Sequence, residues 1–237
     1  MEIVISNNKV NIQPGIINCI MGLNLSTQEL INIKKDNDYK LDIEIVVQPP
    51  KEQIFYYNVK RHLSFVLNGD KNFDEQKSKK IFDALKIVGL NSNFLNRTIK
   101  SLSATELYKV ALASILIKNP KIIILDNPFA NLDLNNKKML LQIIRTIKLR
   151  YKKTVIIISN DSDIVHEISD YLFLIGDNNI VEGNKYNIFD KEDLLIKCNI
   201  SLPKIIEFEK LVYLKKGKKI GYRDNINDLI KDIYFYK

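Results

Sequence analysis

The sequence predicts an α/β fold with a mainly parallel sheet, and two patterns carry that expectation. Short, continuous aliphatic runs recur along the chain, as in Ile122–Leu125 and Val155–Ile158, and runs of this kind mark strands buried on both faces. They alternate with segments of helical period, the arrangement that places helices between parallel strands. In chain order, Gly15–Gly22 reads as a strand running into a loop, Ile43–Val47 as a second strand and Lys121–Asp126 as a third, followed by Thr154–Ser159 and Tyr171–Ile175. Helices are expected over Gln76–Val88, Ala104–Lys118, Asn135–Tyr151 and Ser162–Ile168. No strand is expected between Asn58 and Ser103, which reads as a helical insertion. After Phe189 the pattern shortens to amphipathic pieces, Lys191–Cys198, Pro203–Leu214 and Asn225–Tyr234. The expected organisation is therefore a main domain over 1–189, with a helical subdomain at about 58–103, and a small C-terminal appendage over 190–237.

Composition narrows the function classes. Glycine occurs 8 times in 237 residues, about half its usual share, which argues against a chain that wraps phosphates in glycine-rich loops. The net charge of +8 comes mainly from lysines scattered along the whole chain, so no nucleic-acid partner is expected. No apolar run approaches the roughly 20 residues that a membrane span needs. The segment Met1–Ser6 has no basic region followed by an apolar one, so no signal peptide is expected. Cys19 and Cys198 lack metal-ligand spacing and are expected to stay reduced, in keeping with a cytosolic chain. His62 and His166 stand without ligand-type neighbours and read as ordinary histidines.

The most specific stretch runs from Ser101 to Asp133. A capping-type serine opens a helix, Asn119-Pro120 ends it, an aliphatic strand follows, and that strand finishes in the carboxylate of Asp126. This stretch resembles the core of ATP-binding-cassette (ABC) ATPases, where an LSGGQ signature, a helix, a Walker B strand ending LDEP and a D-loop occur in this order and spacing. Three further matches agree: Val47–Phe55 resembles the Q-loop, Ile158–Asp161 falls where the H-loop stands, and Gly183 follows an acidic turn near the sheet's end. The Q-loop flank and the tail pattern Asp193-Leu-Leu, Leu202-Pro203 and Leu229–Asp232 are most similar to ATPase subunits of energy-coupling factor (ECF) importers. The resemblance implies a P-loop NTPase (RecA-like) core with an ABC-type helical subdomain.

The chemistry of that family needs particular residues, and many are replaced here. Gly22–Glu29 lies where the Walker A loop belongs, directly after a strand. Gly22, Asn24 and Ser26 fit GxNGxGKS, whereas Leu25 and Thr27 stand for glycines, Gln28 for the phosphate-binding lysine and Glu29 for the Mg²⁺-binding hydroxyl. A carboxylate at Glu29 would repel a polyphosphate in a shielded site. Only 21 residues precede Gly22 and none is aromatic, so no adenine-stacking platform is expected. Asp126 matches the Walker B carboxylate, but Asn127 occupies the catalytic glutamate position and Asn160 the H-loop histidine position. An amide cannot take a proton from attacking water, and losing a general base typically costs about 10²–10⁴ in rate. In the signature, Leu102-Ser-Ala-Thr-Glu106, Ser103 remains, while Ala104 and Thr105 replace glycines. Gln48 is retained to sense a transmembrane partner and Asp133 to face a dimer interface.

The resemblance thus implies a degenerate ABC ATPase, inactive on its own, in an ECF-like vitamin or metal-ion importer. Its expected partners are a paralogous ATPase subunit and an integral membrane subunit, which would hold it peripherally on the inner face of the cell membrane. No cofactor is expected in the isolated chain. ATP and Mg²⁺ belong to a composite site in which the partner supplies the missing groups and this chain supplies Ser103, with Asp126 the one candidate for Mg²⁺. The alternatives are an active ABC ATPase using unconventional residues, or a soluble ABC-fold scaffold without a transporter.

Overall fold

The computed structural model describes residues 2–5, 8–22, 32, 42–68, 75–176, 180–217, 228, 230 and 231. Its strands are β1 (Glu2–Ile5), β2 (Asn8–Asn11), β3 (Ile17–Met21), β4 (Ile43–Val46), β5 (Ile122–Asp126), β6 (Thr154–Ile158), β7 (Tyr171–Ile175) and β8 (Ile180–Gly183). Two compact units are present: Met1–Ile17 with Asn24–Ile158, and Asn18–Leu23 with Ser159–Lys237.

In the first unit β5 lies between β4 and β6, parallel to both, with Ile43 opposite Ile122 and Asp126 opposite Ile158. All five residues of β5 are buried, as are those of β6, so the aliphatic runs reflect strands covered on both faces. Each fully buried isoleucine or leucine contributes about 1.5–3 kcal/mol, which makes this strand trio the stable platform behind Asp126. The helices are α1 (Val59–Asn68), α2 (Glu75–Ile87), α3 (Ala104–Leu116) and α4 (Leu134–Tyr151), with 3₁₀ turns at Pro50–Gln53, Ser92–Asn96 and Ile99–Ser101. Every residue of α3 from Tyr108 to Leu116 is buried, as expected of a helix packed on all sides. It stops where Asn119 turns left-handed at φ 58° ahead of Pro120, a helix-ending pair. α4 buries Leu140, Leu141, Ile143, Ile144 and Ile147 along one stripe and ends at Lys152, also left-handed at φ 51°.

In the second unit β3 pairs parallel with β7 from Asn18–Tyr171 to Met21–Leu174, and β8 pairs antiparallel with β7. Its helices are α5 (Ser162–Ile168), α6 (Lys185–Phe189), α7 (Glu192–Lys197) and α8 (Lys204–Lys216), the last ending at Gly217 with φ 64°. The backbone N–H of Lys204 donates to Asp163 Oδ1 at 2.7 Å, tying the start of α8 to α5.

Three short elements were absent from the sequence expectation: the β1–β2 hairpin, β8 and α6. The hairpin's buried content is largely the cross-strand pair Ile3–Val10, too short a pattern to show as a strand signal among Asn and Lys residues. The Asn225–Tyr234 helix lies mostly outside the described residues.

Candidate functional site

In the first unit, β5 delivers Asp126 to the C-terminal edge of its parallel strands, the edge where α/β sheets place ligands. The residue is 5% exposed. Burial pushes its carboxyl pKa up, while the Gln48 N–H and the Asn127 side chain hold it down by hydrogen bonding. Asn127 turns left-handed at φ 39°, and its Nδ2 donates to Asp126 Oδ1 at 3.3 Å. Its own backbone is fixed at both ends: the N–H donates to the Ile158 carbonyl at 2.9 Å, and the carbonyl accepts from Gln48 Nε2 at 3.4 Å. The structure therefore brings Gln48, Asp126 and Asn127 together as the sequence spacing requires. Chemically this trio offers one buried carboxylate between amide donors, with an amide at position 127 that is not a base.

ATP and Mg²⁺ are the ligands typical of proteins with this strand-end carboxylate and Q-loop. Asp126 is the carboxylate that would hold Mg²⁺, with its Oδ1 also accepting from Asn127 Nδ2. Among the described residues no group of three or more His, Cys, Asp or Glu could hold a metal.

The signature residues form a helix start. Ser103 is the N-cap of α3 in a reciprocal box: its Oγ accepts from the Glu106 N–H at 3.2 Å, and Glu106 Oε2 accepts from the Ser103 N–H at 2.8 Å. The other Glu106 oxygen meets Arg97 Nη1 at 2.8 Å. The Ser103 N–H first, then Arg97, hold the Glu106 carboxyl below the ordinary range. Leu102 precedes the cap, and Ala104 and Thr105 form the first helical positions. Asp133 has a comparable task on α4, where its Oδ1 accepts from the Asn136 N–H at 2.9 Å. That bond, with the Asn136 side chain, lowers the Asp133 pKa.

In the second unit Gly22 closes β3 with φ +87°, and its N–H donates to Asn160 Oδ1 at 2.8 Å. A Cβ built on Gly22 would stand 2.0 Å from the carbonyl oxygen of Ile175, so no side chain fits there. Asp161 caps α5 by accepting from the Ile164 N–H at 3.2 Å. The remaining loop residues singled out from sequence, Asn24, Leu25, Ser26, Thr27, Gln28 and Glu29, lie outside the described residues.

Beside the Q-loop the first unit carries a cleft of about 650 Å³ walled by Val47, Gln53, Phe55, His62, Phe65 and Ile115. Gln53 sets its edge: its Oε1 accepts from the Val47 N–H at 3.0 Å and its Nε2 donates to the Ile45 carbonyl at 2.6 Å. Phe55 is 77% exposed, whereas His62 is 1% exposed and neither of its ring nitrogens has a hydrogen-bond partner. Burial pushes the His62 pKa down to about 4. This burial departs from the ordinary histidine that the sequence predicts at position 62. The available signal was its i, i+3, i+4 spacing with Phe65 and Val66, which sets all three on one face of α1.

Residues 15–130 match the family described as ABC transporter. The energy-coupling factor transporter ATP-binding protein EcfA2 of Staphylococcus epidermidis is 32% identical over 195 residues, covering 79% of this chain and 67% of the relative. Its namesake from Clostridium acetobutylicum is 30% identical over 206 residues, covering 84% and 67%. Among solved structures, cbiO1 from Clostridium perfringens, titled as part of the ABC transporter complex cbiONQ, superposes with a TM-score of 0.66 at 24% identity, over 87% of this chain and 92% of that one. That likeness supports the P-loop NTPase fold. No helix among the described residues is long and apolar enough to cross a membrane.

Proposed function

The chain belongs to the ABC transporter ATP-binding family, with energy-coupling factor ATP-binding proteins among its relatives, and from that membership we propose that it is a degenerate cassette subunit of an ECF-type importer. It pairs with an intact paralogue, docks on the membrane component from the cytoplasmic face, and does not itself hydrolyse ATP. The observation that carries this reading is the Asn127 side chain hydrogen-bonded to Asp126 where the family's general base stands. The unfavourable residues at 25 and 27–29 support it from sequence. In the composite sites of such a pair, the partner would bring lysine, glutamate and histidine to the site facing Ser103, while the site on this chain's own loop would stay silent. Asp133, exposed at the start of α4, would face the partner cassette. Residues 1–189 then act as the cassette and 190–237 as its appendage.

The cleft beside Gln48 is the docking surface in this reading. Its exposed Phe55 and its apolar wall are suited to a cytoplasmic segment of the membrane component. Two measurements test the proposal. The purified chain should neither bind Mg·ATP nor turn it over; tight binding, or turnover abolished by Asp126→Asn, would overturn the degenerate assignment. When the chain is co-expressed with an intact cassette and the membrane component, a Phe55→Cys variant should cross-link to the membrane component, and cross-linking to the paralogue instead would remove the cleft from the docking role.

A further inference from the structure

Lys109 is a buried cation whose partner is a weak one. It lies in the second turn of α3 and is 6% exposed. Among the described residues its ammonium makes one hydrogen bond, to Met139 Sδ of α4 at 3.1 Å. A thioether is a weak acceptor, so this bond returns little of the cost of taking a charge out of water. Burial pulls the Lys109 pKa down, and the Glu106 charge one turn earlier opposes it. That carboxylate is itself occupied by the Ser103 N–H and by Arg97 Nη1. Met139 is only partly buried, whereas Met21 in β3 is fully enclosed.

A sulfoxide oxygen accepts hydrogen bonds far better than a thioether, so oxidation of Met139 would give the Lys109 ammonium the partner it lacks. We propose that Met139 is a modification site for hydroperoxides, and that Lys109 directs the reaction to it. One sulfur lone pair accepts from Nζ, and the other attacks the nearer oxygen of hydrogen peroxide. The O–O bond breaks, and the departing hydroxide takes a proton from the ammonium and leaves as water. The amine then takes the proton left on the sulfur-bound oxygen. The sulfur is oxidised by two electrons to the sulfoxide, the peroxide is reduced to water, and Lys109 ends as it began, an ammonium. A sulfoxide ordinarily disturbs the packing around it, whereas here a buried donor is already in place to receive it. Because Lys109 lies on α3 and Met139 on α4, the new bond fastens the helix that Ser103 caps to the helix that Asp133 caps.

The test exposes the full chain to hydrogen peroxide and follows the peptides that carry Met139 and Met21 by mass spectrometry. Met139 should gain one oxygen while Met21 stays unmodified. Water replaces the ammonium less well as a proton donor, so Met139 should react about tenfold more slowly in Lys109→Leu and in Lys109→Gln. Met21 should stay unmodified in both variants, which shows that their folds are intact. Oxidised wild type should keep its melting temperature, whereas oxidised Lys109→Leu, with no donor for the sulfoxide, should melt lower than its unoxidised form. A Met139 that reacts no faster than Met21 would overturn the modification site. Equal Met139 rates in wild type and both variants would overturn the directing role of Lys109, and an equal fall in melting temperature on oxidation would overturn the new bond between the helices.

Discussion

Acidification should cost the free chain stability through His62, and the size of the effect follows from its surroundings. In the unfolded chain the ring titrates near its ordinary 6.5, whereas burial lowers it to about 4 in the folded state. Between those values the unfolded state binds more protons, so stability is complete above the unfolded value, falls as pH drops through this window, and levels off below the folded value. The difference of 6.5 and about 4 caps the loss at about 3 kcal/mol, with about 1.4 kcal/mol gone at about pH 5.5 and about 2.6 kcal/mol at about pH 4.5. The other ionisable groups lining the cleft, Glu44, Glu52 and Lys118, are common to wild type and His62→Leu. The difference between the two proteins therefore isolates the imidazole. Urea unfolding followed by circular dichroism suits a chain without tryptophan. His62→Leu should keep its stability across the window relative to wild type, and parallel losses in the two proteins would refute the reasoning.

Gly22→Ala should destabilise the chain by about 3 kcal/mol or more in the same assay, because both the positive φ and the Ile175 carbonyl forbid a Cβ; a loss under about 1 kcal/mol would contradict that packing. Asn127→Glu should leave phosphate release at background while lowering stability by about 1–2 kcal/mol, since a second carboxylate would replace the amide that now donates to Asp126. Appearance of turnover in that variant would show that the rest of the site is competent. In native protein one thiol of two should react with a thiol reagent: Cys198 is partly exposed, whereas Cys19 is fully enclosed and burial, then Asp170, hold its thiol protonated. Rapid reaction of both would contradict the enclosure of β3.

The strands around Asp126 were legible in the sequence because burial on both faces writes an unbroken aliphatic run, and the observed β5 and β7 end where the runs end. Ser103 and Glu106 were legible as a helix start because capping is local chemistry, set by residues three apart. The hairpin β1–β2 was not legible, since four-residue strands with one buried cross-strand pair carry almost no period. Nor was the environment of His62. It shares its cleft with Val47, Gln53 and Ile115, which come from other elements of the chain, so no local pattern encodes it. The loop from Asn24 to Glu29 could be judged from residue chemistry alone, because charge and the need for bare backbone do not depend on its coordinates.

The helix α3 joins two separate places in the first unit. Its first turn holds the Ser103–Glu106 box, and its last turn sends Ser114 and Ile115 into the cleft wall. Thirteen residues at about 1.5 Å each make a rod of about 20 Å, without glycine or proline inside it and seated on all sides from Tyr108 onward. Such a rod has no joint at which to absorb a push. A displacement imposed at the cleft must reappear at the capped end as a tilt or a slide of the whole helix, so α3 is a mechanical link by which an event at one end is felt at the other.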